Sequence, residues 1–111
     1  MEIREAVFLA KAAMEEKKAE NVKVLNITGL SPIGDFFILA SGNNMNQMQA
    51  MADAAEEALG KNGILKKQVE GYEGGNWILM DYGDFMIHIF NPESREFYNL
   101  ERLWRDAKFE E

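Results

Sequence analysis

The chain has 111 residues, which fits a single domain built around one hydrophobic core. Its composition, 47% hydrophobic and 28% charged, is that of an ordinary globular protein. The longest apolar runs are too short to span a bilayer, and the first residues lack the basic flank and apolar stretch of a signal peptide. There is no cysteine, which excludes disulfides and thiolate metal sites. We therefore expect a cytoplasmic protein with no membrane anchor.

The charge balance points away from one class of partner. The net charge is −7, because 19 acidic residues outnumber 12 scattered basic ones. Proteins that bind phosphate backbones cluster lysine and arginine, so direct nucleic-acid binding is disfavoured as the main activity. An acidic domain is instead steered toward a basic partner, such as a basic protein surface.

The first half of the chain predicts two helices and two strands. Apolar residues at three- and four-residue spacing predict an amphipathic helix over residues 3–18. Residues 22–27 are typical of a strand, residues 29–34 of a loop, and the nearly continuous apolar run 36–40 of a central strand covered on both faces. Asn44 and Gln47 form a candidate capping box for a helix over 45–62, which Gly63 is placed to end.

The second half predicts a short strand over 68–70 and then a β-hairpin over 76–90. Two apolar runs flank Asp-Tyr-Gly-Asp at 81–84, where a glycine gives the backbone the freedom that a reversal needs. With an even loop count, Met80 lies opposite Phe85 and Trp77 opposite His88. A three-residue loop with a bulge at Gly83 would instead move Trp77 to the Phe85 face.

With the even count, side-chain alternation divides the hairpin into two faces. One face is apolar and suits a core: Ile78, Met80, Phe85, Ile87 and Ile89. The other mixes large apolar groups with polar tips, as a contact surface does: Trp77, Leu79, Asp81, Asp84, Met86, His88 and Phe90.

After the hairpin we predict a turn over 91–94, a short edge strand over 95–98, and a last helix over 100–108 capped by Asn99. The expected fold class is therefore α/β (α+β), a mixed sheet of about five strands with helices packed on it. We expect residues 1–111 to form a single domain.

Two sets of polar residues could carry chemistry. Asp81 and Asp84, joined by Glu70 or Glu101, could bind a divalent metal, but aspartate is common at hairpin turns and we favour that interpretation. His88 could act as a general base, but no nucleophile motif accompanies it, so a structural or contact-making role is favoured.

The run Ser-Gly-Asn-Asn at 41–44 precedes a helix and could hold an anion, although a simple helix cap explains it as well. A sharper signal is the pairing of Trp77 and Phe90 with Asp81 and Asp84, since aromatic anchors with acidic neighbours are typical of an interface. Burial of Trp77 inside the monomer is about equally consistent with the sequence.

The same residues carry a family resemblance. The chain has Trp-Ile-Leu-Met-Asp-Tyr-Gly-Asp-Phe-Met-Ile-His-Ile-Phe at 77–90 and Arg-Glu-Phe-Tyr-Asn-Leu-Glu-Arg-Leu-Trp at 95–104. Upstream stand Gly-Asp-Phe-Phe-Ile-Leu-Ala-Ser-Gly-Asn at 34–43 and Glu-Gly at 70–71. This ordered set, spanning residues 22–107, resembles the ribosomal silencing factors, also called the Iojap-like family.

The resemblance implies a function and a fold. Such factors bind the large ribosomal subunit through its ribosomal protein number fourteen, block joining of the small subunit and lower translation when nutrients are short. Their fold is similar to the nucleotidyltransferase palm without its catalytic carboxylates, they use no cofactor, and free members form homodimers. Carried over by motif, the partner-binding surface comprises Trp77, Asp81, Tyr82, Asp84, His88, Phe90, Arg95 and Tyr98.

The chain departs from the family pattern at the start of the second helix. Asn44 stands where the family often has serine, and Asn46 where it often has a basic residue, so the resemblance does not carry a contact over to these positions. Two rival functions remain: a nucleotidyltransferase-like enzyme using Asp81 and Asp84 with Mg²⁺, and a homodimeric scaffold whose interface covers the His88 face.

Overall fold

The computed structural model describes residues 1–32 and 34–110. Along the chain lie α1 (Ile3–Glu16), β1 (Glu20–Asn26), β2 (Phe36–Ser41), α2 (Met45–Gly60), β3 (Gln68–Glu70), β4 (Trp77–Asp81), β5 (Phe85–Phe90), α3 (Pro92–Tyr98), α4 (Leu100–Leu103) and β6 (Lys108–Glu110). Ile33, within the predicted loop 29–34, is outside the described residues. No described helix has the length and apolarity to cross a membrane.

The six strands form one mixed sheet in the order β3-β4-β5-β2-β1-β6. The central pair, β2 and β5, is parallel, and the other neighbours are antiparallel. Every residue of β2 is buried, as expected for a strand covered on both faces. The predicted class, a mixed sheet with helices packed on it, is confirmed, with six strands instead of about five.

The two faces of the sheet bury two separate apolar clusters. Helices α1 and α2 cover one face, where Val7 and Met51 pack against Ile38 and Ile87. The segment 91–107 covers part of the other face, where Leu100 packs with Leu39 and Phe90. Because the second cover is shorter, the second face is left partly open.

The caps of α2 form largely as predicted. The Asn44 side chain accepts a hydrogen bond from the Gln47 backbone N–H at 2.8 Å. The Gln47 side chain, however, accepts from the N–H of Asn43 instead of Asn44, so the box is displaced by one residue. Gly63 has a φ of +77°, and the next residue donates to the carbonyl of Leu59, which ends the helix as predicted.

The hairpin is confirmed, but its register differs from the predicted one by two residues. Trp77 lies opposite Phe90, Leu79 opposite His88 and Met80 opposite Ile87. The reversal is tighter than expected: the Tyr82 N–H donates to the Phe85 carbonyl, and Gly83, with a φ of +85°, begins a two-residue loop between the strands. A shift by an even number keeps every side chain on its face, so the division into two faces holds.

The predictions for the C-terminal segment are partly wrong. Residues 95–98 belong to helix α3 instead of an edge strand, because Asn91 accepts from the Ser94 N–H at 2.7 Å and Pro92 stands in the first turn. Asn99 ends α3 in the left-handed region and makes no side-chain cap for α4. The predicted helix 100–108 ends at Leu103, and residues 108–110 pair with β1 as the sixth strand.

Candidate functional site

The partly open face of the sheet carries the residues that the sequence singled out. We call it the hairpin face and define it by six side chains: Trp77, Leu79, Asp81, Met86, His88 and Phe90. The register sets them in three cross-strand pairs, Trp77 with Phe90, Leu79 with His88 and Asp81 with Met86. Paired side chains on one face lie close enough to pack together, so the face is a continuous surface.

Burial divides the eight predicted contact residues into two groups. Trp77 and Asp81 are half-buried, and Asp84 and Tyr98 are exposed. The other four are buried and offer no surface to a partner in this conformation: Tyr82, His88, Phe90 and Arg95. Direct contact by these four stays a prediction, and their burial favours a role beneath the surface.

Tyr82 and Phe90 are buried for different reasons. Tyr82 belongs to the core on the helix side of the sheet, where its ring stacks on Phe85 at 5.0 Å. Burial raises the pKa of its phenol to about 12. Phe90 lies on the hairpin face but contacts the Trp77 ring at 5.0 Å and packs with Leu100 of the C-terminal cover.

His88 is a structural residue in the centre of the hairpin face. The Trp77 indole N–H donates to its Nδ1 at 3.1 Å, and the Phe37 ring meets it edge-on at 4.7 Å. Burial lowers the pKa of His88 to about 4, so the imidazole is neutral near pH 7. Its one acceptor nitrogen is already occupied, which supports the structural interpretation over a general base.

The hairpin carboxylates behave as turn residues. Asp81 accepts a hydrogen bond from the Gly83 N–H at 2.8 Å, as aspartate does in tight turns. Asp84 is exposed at the tip, and its carbonyl accepts from the Asp35 N–H of the neighbouring strand end. Within the described residues, no three histidine, aspartate or glutamate side chains are placed to hold a metal.

Arg95 fastens the C-terminal helices to the sheet. Its guanidinium donates to both carboxylate oxygens of Glu101, at 3.1 and 2.9 Å, and to the Ser41 hydroxyl at 3.0 Å. Burial alone would raise the pKa of Glu101, but the hydrogen bonds and charge of Arg95 outweigh it and lower that pKa. Both carboxylate oxygens of Glu101 therefore accept from Arg95, which disfavours Glu101 as a ligand of the metal site considered with Asp81 and Asp84.

The strand end before α2 is closely packed. A side chain at Gly42 would stand 2.9 Å from the Met48 Cγ, and the N–H groups of Asn43 and Gln47 already have partners. These contacts favour the simple cap over an anion site. The Ser41 hydroxyl accepts from Arg95, a link across the chain that no local motif predicts.

Tyr98 extends the hairpin face onto α3. Its ring lies 4.7 Å from that of Trp77, so the open surface continues from the strands to the helix end. Phe97 and Leu103 next to it are among the most exposed large apolar side chains, at 80% and 71%. The sequence pattern does not predict this exposure, because residues 95–98 were expected to form a strand and Leu103 to lie on the apolar side of the last helix.

The fold and this half-open face define a class of protein. A model of the family described as "Ribosomal silencing factor during starvation" matches residues 1–111. The chain therefore belongs to the ribosomal silencing factor family, as its motifs predicted.

Curated relatives agree with this assignment. A ribosomal silencing factor from Halalkalibacterium halodurans is 44% identical, over 96% of this chain and 92% of its own length. One from Bacillus subtilis is 39% identical over 89% of this chain and 84% of its own. The chloroplastic protein Iojap of Arabidopsis thaliana is 40% identical over 92% of this chain and 42% of its own.

Solved structures share the fold closely. A crystal structure of a protein from Chromobacterium violaceum superposes with a TM-score of 0.91 at 34% identity, covering 94% of this chain and 87% of that one. One from Bacillus halodurans gives 0.85 at 41% identity, covering 97% and 98%.

Proposed function

We propose that this protein represses translation by binding the large ribosomal subunit through its ribosomal protein number fourteen and sterically blocking the small subunit. The observation that carries the proposal is the half-open hairpin face in a chain that belongs to the silencing family. The protein would act in the cytoplasm as a binding module without turnover.

The hairpin face combines two features of a docking surface. Trp77, Leu79 and Met86 are half-buried, so their outer parts supply apolar area that a partner would cover. Asp81 at the end of β4 and Asp84 at the hairpin tip add negative charge beside that area. A basic ribosomal protein would meet complementary charge at the rim and apolar contact at the centre.

Steric blocking is compatible with how the polar groups are used. His88 is buried and neutral, and Asp81 is held by the turn, so both stabilise the shape of the surface. The net charge of −7 repels ribosomal RNA in general, so docking would select a cationic protein on the subunit.

The experiment measures the affinity of the labelled protein for purified large subunits. We expect Trp77→Ala to weaken binding by about 2 kcal/mol or more, as for an aromatic anchor. Because this change also removes the hydrogen bond to His88, Leu79→Ala serves as a second variant with no hydrogen bond to lose. Asp84→Ala should weaken binding chiefly at low salt, since a rim charge acts on the association rate.

The matched control is Glu57→Ala, which removes another exposed carboxylate, from α2 on the opposite side of the sheet. It should bind like the wild type. Full binding by all three hairpin variants, or equal weakening by Glu57→Ala, would move the docking site off the hairpin face.

A homodimer is the second expectation for the free protein. The same half-exposed apolar side chains would then be covered by a second copy, and subunit binding would compete with dimerisation. Sedimentation of wild type and Leu79→Ala tests this point, because a dimer on the hairpin face predicts a shift of the variant toward monomer.

A further inference from the structure

A second exposed patch lies beside the hairpin face, at the corner between α3 and α4. We call it the corner patch and define it by five residues: Phe97, Tyr98, Arg102, Leu103 and Arg105. They line a shallow depression of about 630 Å³ together with Glu96, Asn99 and Asp106. The Phe97 ring is 80% exposed, so the fold itself gains little from it.

The aromatic part of the patch has open ring surface. Phe97 and Tyr98 stand perpendicular to each other, with centroids 5.1 Å apart. Tyr98 also contacts Trp77, whereas Phe97 contacts no other ring in the described part of the chain. An exposed ring of this kind can stack on an unpaired base. Such stacking is most favourable where the base is already unstacked from its neighbours.

The charged part of the corner patch has two arginine side chains without a carboxylate partner among the described residues. Arg102 and Arg105 form no ion pair within residues 1–32 and 34–110, unlike Arg4 and Arg95. Glu96 and Asp106 also line the depression, so its formal charge is balanced while the whole chain carries −7. The patch is therefore too weak to capture free RNA, but it would not repel RNA that is brought against it.

We propose that the corner patch contacts ribosomal RNA of the large subunit, with Phe97 stacking on an unpaired base while Arg102 and Arg105 pair with phosphates. This rests on the proposed function, because docking through the hairpin face is what brings the RNA close. The Trp77–Tyr98 contact at 4.7 Å makes the two surfaces continuous. A ribosomal protein is bordered by ribosomal RNA, so a neighbour of its docking face meets RNA next.

The test compares salt dependence of binding to purified large subunits. Each phosphate contact adds about 0.7 to 0.9 to the slope of log affinity against log salt. The double variant Arg102→Ala/Arg105→Ala should thus have a slope shallower by about 1.5, and wild type should lose roughly tenfold more affinity than the variant between 50 and 200 mM salt. Phe97→Ala should weaken binding with its slope unchanged, and should lose ultraviolet crosslinking to the RNA.

The control is Lys17→Ala/Lys61→Ala, which removes two exposed cations just after the C-terminal ends of α1 and α2 and should leave the slope as in wild type. An unchanged slope in the arginine variant, or weaker binding with crosslinks only to ribosomal proteins, would overturn the RNA contact and favour a protein neighbour. Absence of subunit binding by wild type would instead refute the proposed function itself, together with this inference.

Discussion

At the scale of single residues, the hairpin face depends on a hydrogen bond between two rings. Trp77 donates to His88 Nδ1 at 3.1 Å, which fixes the indole plane while its outer part stays accessible. The buried imidazole stays neutral and accepts this bond, with its second nitrogen left without a partner among the described residues. The half-buried Trp77 is thus held by a buried acceptor, which would lower the entropy lost in the proposed docking.

We predict that His88 makes folding sensitive to acid. Its pKa is about 4 in the folded protein, below the ordinary 6.5, because burial disfavours the charged form. The unfolded chain therefore binds a proton that the folded chain does not, and stability falls as the pH drops from about 6.5 toward 4. The loss attributable to this group is about 3 kcal/mol.

Urea unfolding at several pH values measures this effect. His88→Asn keeps an acceptor near Nδ1 but cannot titrate, so its stability should fall less over the same interval. Since carboxylates titrate in both proteins, the difference between the two curves is the informative quantity. Parallel curves would show that His88 is not the group responsible.

At this scale the sequence pattern predicted the face on which each side chain lies, but it did not predict which side chains are buried. Alternation placed Trp77, His88 and Phe90 on one face, and an even register shift kept them there. It did not show that His88 and Phe90 are buried, because the side chains that cover them come from β2 and α4, which are distant along the chain. Tyr82 was assigned to the contact surface by motif, yet it packs under the helices.

At the scale of elements, the C-terminal helices α3 and α4 decide how much of the hairpin face stays open. Their attachment rests on Arg95, which joins Glu101 and Ser41. The partners are six and fifty-four residues away, so neither a helical spacing nor a local motif predicts them. The sequence does contain a start signal for α3, because Asn91 is a common N-cap residue and Pro92 is common in the first turn of a helix.

We predict that Arg95→Met destabilises the fold by about 2 kcal/mol. Loss of one partner of a buried pair costs more than this when the other charge stays buried, but Glu101 is partly exposed and can be rehydrated. Urea unfolding followed by tryptophan fluorescence measures the change. Arg102→Met, an exposed cation on α4, is the matched control and should stay within about 0.5 kcal/mol of wild type.

Equal stability of the two arginine variants would contradict this role for Arg95. A loss seen with Arg95→Met alone would support the view that Arg95 acts beneath the docking surface instead of on it.

At the scale of the whole molecule, the sheet separates two environments. The side under α1 and α2 holds the larger core, and the other side leaves apolar and acidic groups partly exposed, where we propose that a partner docks. The class of fold followed from the order of periodic segments, but the sixth strand did not. Residues 108–110 are held by long-range pairing with β1 and by the Arg4–Glu110 ion pair, which no local pattern encodes. The likeness to a nucleotidyltransferase palm stays a prediction.

The most direct test of the account is joining of separated ribosomal subunits, followed on sucrose gradients. With excess wild-type protein, joined ribosomes should decrease and the protein should sediment with the large subunit, whereas Leu79→Ala should restore joining and Glu57→Ala should block it like wild type. If joined ribosomes form in full beside saturating wild-type protein, this chain does not work by covering the surface between the subunits.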